Sequence, residues 1–323
     1  MGIHRRKFLH LAGIAAVLPA VTPSARAQTW PARPLHLVVG FAPGGPNDIL
    51  ARLVADWLPA RLGQPVVVEN IASTNAATAA VARAPADGHT LLLIGPADAI
   101  GVTLSKNPDF DFRRDFMPVA GITREALAMV VHPSVPAADV DAFFAYARAN
   151  PGKVRLALTS PGSAPQVAGE LFRAMTGMDF AAVRFEGGPA ALRALVAGEV
   201  DAMFEPMSAS IGPVRAGSLR ALAVTTAERI PALPEVPAMA DFLFGFEVSA
   251  VTGIAVPRNT PAETVERLNR EINAAYADGA MKARFTETGG EVIAGSPAEF
   301  GKLFGAEIAK WATLLKLSGV KTQ

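Results

Sequence analysis

The 323-residue chain has no cysteine at all. That excludes a disulfide framework, a thiolate zinc centre, an iron–sulfur cluster and a cysteine nucleophile. An excess of one charge is also missing. Thirty Lys and Arg stand against 29 Asp and Glu, a net of +1 at pH 7, so the chain carries no electrostatic footprint for nucleic acid. Histidine is scarce: His36, His89 and His132 are the only ones after residue 27. None has a second histidine at metal-ligand spacing, and there is no H-E-x-x-H. No G-x-S-x-G elbow occurs, so serine acyl transfer has no motif behind it. Gly295-Ser296-Pro297-Ala298-Glu299-Phe300-Gly301-Lys302 superficially suggests a phosphate loop. The spacing is one residue too long, and Leu303 stands where a metal-binding hydroxyl is needed.

The first 27 residues read as an export signal. Arg5-Arg6-Lys7 form a basic start, Leu11 to Val21 a short apolar stretch, and Ala25-Arg26-Ala27 an A-x-A cleavage signal. Arg5-Arg6-Lys7-Phe8-Leu9 also fits a twin-arginine signal, with an ordinary secretory peptide as the alternative. Removal after Ala27 takes away four basic residues and no acid, so the net charge falls from +1 to −3. No later apolar run reaches the roughly 20 residues that a bilayer requires. The expectation is a soluble periplasmic protein.

What is present is an alternation of short apolar runs with amphipathic stretches. Leu35 to Phe41, Val66 to Glu69, Thr90 to Ile94 and Leu127 to Val131 read as buried strands, of the kind a parallel sheet covered on both faces requires. Between the first two, Ile49, Leu50, Leu53, Val54, Trp57, Leu58 and Leu62 recur at helical spacing, with Pro59 as a break and Gly63 as a stop. A second block runs from His132. It has helices over Val140–Ala149 and Ala191–Ala197, and strands near 154–158, 182–185, 200–204 and 221–225. Val251 to Val256 reads as a further strand. Thr260-Pro261-Ala262-Glu263 and Ser296-Pro297-Ala298-Glu299 read as capping boxes for helices over 262–277 and 298–315. The pattern predicts an α/β fold of two doubly wound lobes, with the chain crossing between them near 131 and 251. Residues 28–131 and 252–323 form one lobe and 132–251 the other, with a cleft between them.

Phe41-Ala42-Pro43-Gly44-Gly45-Pro46-Asn47-Asp48 follows a strand and opens a helix. Gly44-Gly45 allows close approach of backbone amides, and the helix N-terminus favours an anion. The plain alternative is a strand–helix turn capped by Asn47 or Asp48. Ser160-Pro161-Gly162-Ser163 and Phe185-Glu186-Gly187-Gly188-Pro189 hold equivalent places in the second block. Several such turns facing one cleft would make a clamp, mostly of main chain, suited to a small carboxylate.

These stretches bring a resemblance. Trp30 to Pro34, Val39 to Arg52, Leu62 to Asn70, Ala86 to Leu92, Gly198-Glu199-Val200-Asp201, Pro234 to Pro237 and Pro257 to Pro261 are similar to segments of the periplasmic substrate-binding proteins of tripartite tricarboxylate transporters, the Bug family. The resemblance covers residues 30–320. It implies a type II periplasmic binding-protein fold that closes by a hinge motion on a small organic carboxylate. Such a protein works without cofactor, metal or catalysis, as a monomer, and delivers its ligand to the membrane subunits of a transporter. It implies that Phe41 to Asp48 hold a ligand carboxylate. The loops with Ser73, Thr74 and Asn75, and with Pro96, Ala97 and Asp98, complete the first wall. Ser160, Gly162, Ser163, Phe185 to Gly188 and Glu205 form the second.

The chain departs from the family pattern in four places. The loop after Asn70 has no glycine, so its side chains narrow the pocket and offer hydroxyl and amide groups. The Ser160–Gln166 turn is short. Glu186 stands where a basic or polar residue is usual, and Ala194 where an aspartate is common. Glu186 or Glu205 is expected to disfavour multiply charged anions or to favour a ligand with an ammonium, unless both point to solvent. Two other outputs fit the sequence: ligand presentation to a sensor kinase, and an enzyme using Asp48, Asp98 or Glu205 as a base.

Overall fold

A computed structural model describes residues 30–71, 73–104 and 110–319. The proposed export signal lies outside the described residues, as does Ala72 of the glycine-free loop.

The first half opens with β1 (Leu35–Val39), α1 (Pro46–Trp57), α2 (Pro59–Leu62), β2 (Val66–Asn70), α3 (Thr74–Ala82), β3 (Thr90–Ile94), α4 (Pro96–Leu104) and α5 (Phe112–Asp115). A 16-residue strand, β4 (Phe116–Val131), leads into the second half. There follow α6 (Val140–Ala149), β5 (Arg155–Leu158), α7 (Ala164–Thr176), β6 (Ala181–Arg184), α8 (Gly188–Val196), β7 (Ala202–Pro206), α9 (Met207–Arg215) and β8 (Arg220–Val224). The chain then returns through β9 (Ser249–Pro257), α10 (Ala262–Ala277), α11 (Gly279–Glu287), β10 (Gly290–Val292) and α12 (Pro297–Ser318).

The strands follow the order β2-β1-β3-β9-β4-β7-β5-β6, with β10 and β8 also paired to β4. β1 is parallel to both β2 and β3, and β5 is parallel to β6 and β7. β4 belongs to both halves. Phe116 to Ala126 pair with β9, and Leu127 to Val131 pair with β7, all antiparallel. Each half builds its core from the stripes the sequence shows. Leu35, Leu37 and Val39 pack with Leu50, Leu53, Val54 and Leu268, all buried. A larger cluster runs from Val38 and Ile94 through Phe304 and Trp311 to Phe143, Phe172 and Phe204, so α12, lying against α4, α7 and β4, ties the two halves together.

Pro59 separates α1 from α2, and Gly63, at φ 73°, ends α2 by donating its N–H to the Pro59 carbonyl. The Ser296 capping box forms: the Ser296 hydroxyl accepts the Glu299 N–H, and the Glu299 carboxylate accepts the Ser296 N–H.

Four expectations need correction. Leu127 to Val131 is not a parallel strand but the end of antiparallel β4. The preceding stretch of β4 carries Pro118, Gly121, Arg124 and Glu125, which break the apolar run. Val66 to Asn70 is not covered on both faces, because β2 is an edge strand and Val67 is 42% exposed. Thr260 forms no capping box; its hydroxyl donates to the Pro257 carbonyl at 2.8 Å, and Pro261 takes the cap position. Neither Asn47 nor Asp48 caps α1, whose cap residue is Gly45 without a side-chain bond. α11 and β10 carry no strong apolar period and were not expected.

Candidate functional site

Five helices begin around one hollow: α1, α3 and α4 from the first half, α7 and α8 from the second. Each exposes amides that its own helix cannot pair, and each presents the positive end of its dipole. The hollow has a volume of about 1170 Å³.

On the first wall the lining includes Phe41, Ala42, Gly45, Asn47, Ser73, Thr74, Asn75, Pro96 and Ala97. On the second it includes Ser160, Gly162, Ser163, Glu186, Gly187, Gly188 and Glu205. Sixteen of the expected site residues are thus brought to a common space. Pro43, Gly44, Asp48, Asp98 and Phe185 are not among the lining. Phe185 packs instead against the core of the second half.

Gly44, though exposed, and Asp48, which is buried, stay out of the lining for a definite reason. The Gly44 N–H donates to the Asp48 carboxylate at 2.8 Å, so it is not free for a ligand. Arg52 donates to the same carboxylate from Nε at 2.9 Å and Nη2 at 3.0 Å, and Asn70 Nδ2 at 3.0 Å. Asn70 Nδ2 also reaches the Phe41 carbonyl at 3.0 Å. Asp48 is therefore the knot that shapes the first loop. Burial pushes its carboxyl up, but the bonds from Arg52, Gly44 and Asn70 outweigh that and hold it below the usual carboxylate range. Asp98 shapes the loop after β3 in the same way. It accepts the Gly95 N–H and the Thr78 hydroxyl, both at 2.9 Å, and burial pushes it up to about 6.

The second wall is braced by its own polar groups. Thr159 Oγ1 and Ser163 Oγ lie 2.7 Å apart, Ser163 Oγ donates to the Ser160 carbonyl at 2.7 Å, and the Gly162 N–H donates to Gln166 Oε1 at 2.7 Å. The Ser160 hydroxyl donates to the Glu186 carbonyl, joining the two turns. Glu186 itself is exposed. Glu205 is not: it is 1% exposed.

The floor holds a residue the sequence reading passed over. Glu125 of β4 is also 1% exposed and lines the hollow beside Glu205. It accepts the Ser208 N–H at the start of α9. Burial pushes Glu125 up to about 7. Burial, and then the charge of Glu125, push Glu205 up to about 8. Glu125 had a signal, an acid set immediately before the apolar run Ala126–Val131. Thr159, Gln166, Arg184 and Arg193 also reach the lining. Arg184 donates to Glu170 at 3.3 Å, and Arg173 donates to the same carboxylate at 2.8 Å. Among the described residues no three His, Asp or Glu side chains gather as a metal site, and no helix is long and apolar enough to cross a membrane.

Comparison with known proteins gives a consistent result. Residues 50–320 match the model of the tripartite tricarboxylate transporter family receptor. Protein BugT of Bordetella pertussis is 34% identical over 97% of this chain and 96% of its own. Among solved structures, the R. palustris protein Rpa4515 with adipate is 35% identical, with a TM-score of 0.86 over 90% of this chain and 98% of its own. MatC from Rhodopseudomonas palustris with bound malate is 31% identical, with a TM-score of 0.80 over 88% and 99%. These neighbours share the two-lobed type II architecture described above.

Proposed function

The chain belongs to the tripartite tricarboxylate transporter receptor family, and from that premise we propose that it is a solute-binding protein for a small organic carboxylate. The observation that carries this reading is the convergence of five helix N-termini, from both halves of the chain, on one hollow. Such a hollow stabilises an anion by amides and dipoles without needing a fixed cation. The adipate and malate held by two relatives are of this ligand class.

In this reading residues 28–131 and 252–323 make one lobe and 132–251 the other. The carboxylate lies against Phe41 to Asn47, Ser73 to Asn75 and Pro96-Ala97. Ser160 to Ser163 and Glu186 to Gly188 close over it by rotation about the paired strands β4 and β9. Asp48 and Asp98 act indirectly, as positioning residues. The protein works by binding alone, as a monomer in the periplasm after removal of residues 1–27, and presents its ligand to the membrane subunits of a transporter.

A thermal-shift panel of mono-, di- and tricarboxylates, with sugars and divalent metals beside them, tests the reading. A true ligand at 100 times its Kd is expected to stabilise the fold by about 2.7 kcal/mol. A shift with sugars or metals and none with any carboxylate would overturn it.

A further inference from the structure

The floor of the hollow is acidic, which is unexpected beneath an anion site. Glu125 and Glu205 sit on adjacent antiparallel strands: Glu205 is paired with Ala128 on β4, three residues after Glu125. Both carboxyls are buried, and both line the hollow. No arginine, lysine or histidine pairs with either one among the described residues. Glu125 accepts one backbone N–H, from Ser208. Glu205 Oε2 is buried with no hydrogen-bond partner at all. Its other oxygen faces Gly188, where an added Cβ would lie 2.8 Å away, so the second wall leaves room for this carboxyl and gives it nothing in return.

Two buried carboxyls without a counter-charge are costly, and in proteins such groups are normally paired. The fold supplies no partner, yet the pair opens on a space sized for a small molecule. The remaining charges of the lining do not compensate. Arg184 is bound to Glu170, while Glu186 and Arg193 are exposed on the second wall. Arg124, the neighbour of Glu125 on β4, forms no ion pair with either carboxyl, and its charge acts on Glu307.

We propose that Glu125 and Glu205 form a cation subsite, and that the ligand is therefore a carboxylate that also carries an ammonium group. This rests on the carboxylate reading above. The carboxylate end takes the amides of α1, α3 and α4, and the ammonium donates to the carboxylates of Glu125 and Glu205. In the empty cleft a proton on the pair stands in for the ligand's cation, and it leaves when the ammonium arrives.

Matched probes test this directly: 4-aminobutyrate against butyrate, 6-aminohexanoate against hexanoate, glutamate against glutarate, each titrated calorimetrically. Wild type is expected to bind at least one amino member about tenfold or more tighter than its partner. Glu205→Gln and Glu125→Gln are expected to bring the two within about threefold, through weaker binding of the amino member alone. Where a variant does not fold, titration of the wild type in two buffers of different ionisation enthalpy replaces it: the amino member is expected to release protons and the plain acid to release none. Plain carboxylates that bind as well as or better than their amino partners would overturn the cation subsite and leave the carboxylate reading intact. A preference for the amino member that survives both Gln variants would also overturn it. Binding of neither member in any pair, in the same panel that finds a sugar or metal ligand, would remove both readings.

Discussion

Gly40 and Thr74 approach so closely that a Cβ on Gly40 would lie 2.7 Å from the Thr74 Cα, and the Thr74 hydroxyl donates to the Gly40 carbonyl at 3.2 Å. The end of β1 is thereby locked to the start of α3, and two loops of the first wall keep their spacing. Gly40→Ala must push backbone from backbone. It is expected to cost about 1–3 kcal/mol and to weaken carboxylate binding. Thr74→Ala, which loses a single hydrogen bond, is expected to cost about 1 kcal/mol. Thermal unfolding and calorimetry read both, and equal behaviour of the two variants would contradict the spacing argument.

Asp48→Asn keeps the shape of the side chain and removes its charge. The amide cannot accept from Gly44, Arg52 and Asn70 together, so a cost of about 1–3 kcal/mol is expected, with weaker ligand binding through a loosened Phe41–Asn47 loop. The carboxyl is held below its ordinary 3.8, so its contribution is complete above that value and is lost as pH falls through the folded value. Acid unfolding of Asp48→Asn should accordingly be less steep than that of the wild type below pH 3.8.

The acidic floor has the opposite sign. Glu125 and Glu205 titrate higher in the fold, about 7 and about 8, than the ordinary 4.5. The folded chain holds their protons where the unfolded chain has released them. This stability is complete below pH 4.5 and is lost as pH rises through the folded values. The urea midpoint of the empty protein is expected to fall from about pH 5.5 to about pH 8.5, and Glu205→Gln should flatten that slope. A wild-type midpoint independent of pH over this window would refute the burial of both acids.

Gly253 of β9 has no room for a side chain: a Cβ would meet the Phe300 ring at 2.0 Å and the Ala120 carbonyl at 2.6 Å. Gly253→Ala is expected to cost more than about 3 kcal/mol. Adding Phe300→Leu relieves the ring and leaves the carbonyl, so rescue should be partial. Full rescue in a melting experiment would show that the backbone approach is looser than described.

These tests also mark how far the sequence could be read. The strands β1 and β3 and the helices α6 and α10 announced themselves because their apolar residues are continuous or regularly spaced and their ends carry Gly, Pro or Asn. The opening stretch of β4 did not, since Pro118, Gly121, Arg124 and Glu125 interrupt it, and its pairing with β9 joins residues more than a hundred positions apart. The loops around the hollow were legible as Gly- and Pro-rich turns between strand and helix. The directions of individual groups within them were not. Gly44 looked like a ligand-facing amide, yet Asp48 takes it. Glu125 stands just before an apolar run with no motif to single it out, and only the return of β9 buries it. A side-chain direction four residues away decides the first and long-range pairing the second, and a linear apolar pattern records neither.

The continuity of β4 has a last consequence. Because one strand completes the sheet in each half, neither half can be excised without stripping the other of a central strand. No cut within residues 116–131 yields two self-sufficient pieces. Denaturation should therefore proceed as one cooperative event, and recombination with relatives should succeed where whole chains or surface loops are exchanged and fail where lobes are swapped as modules.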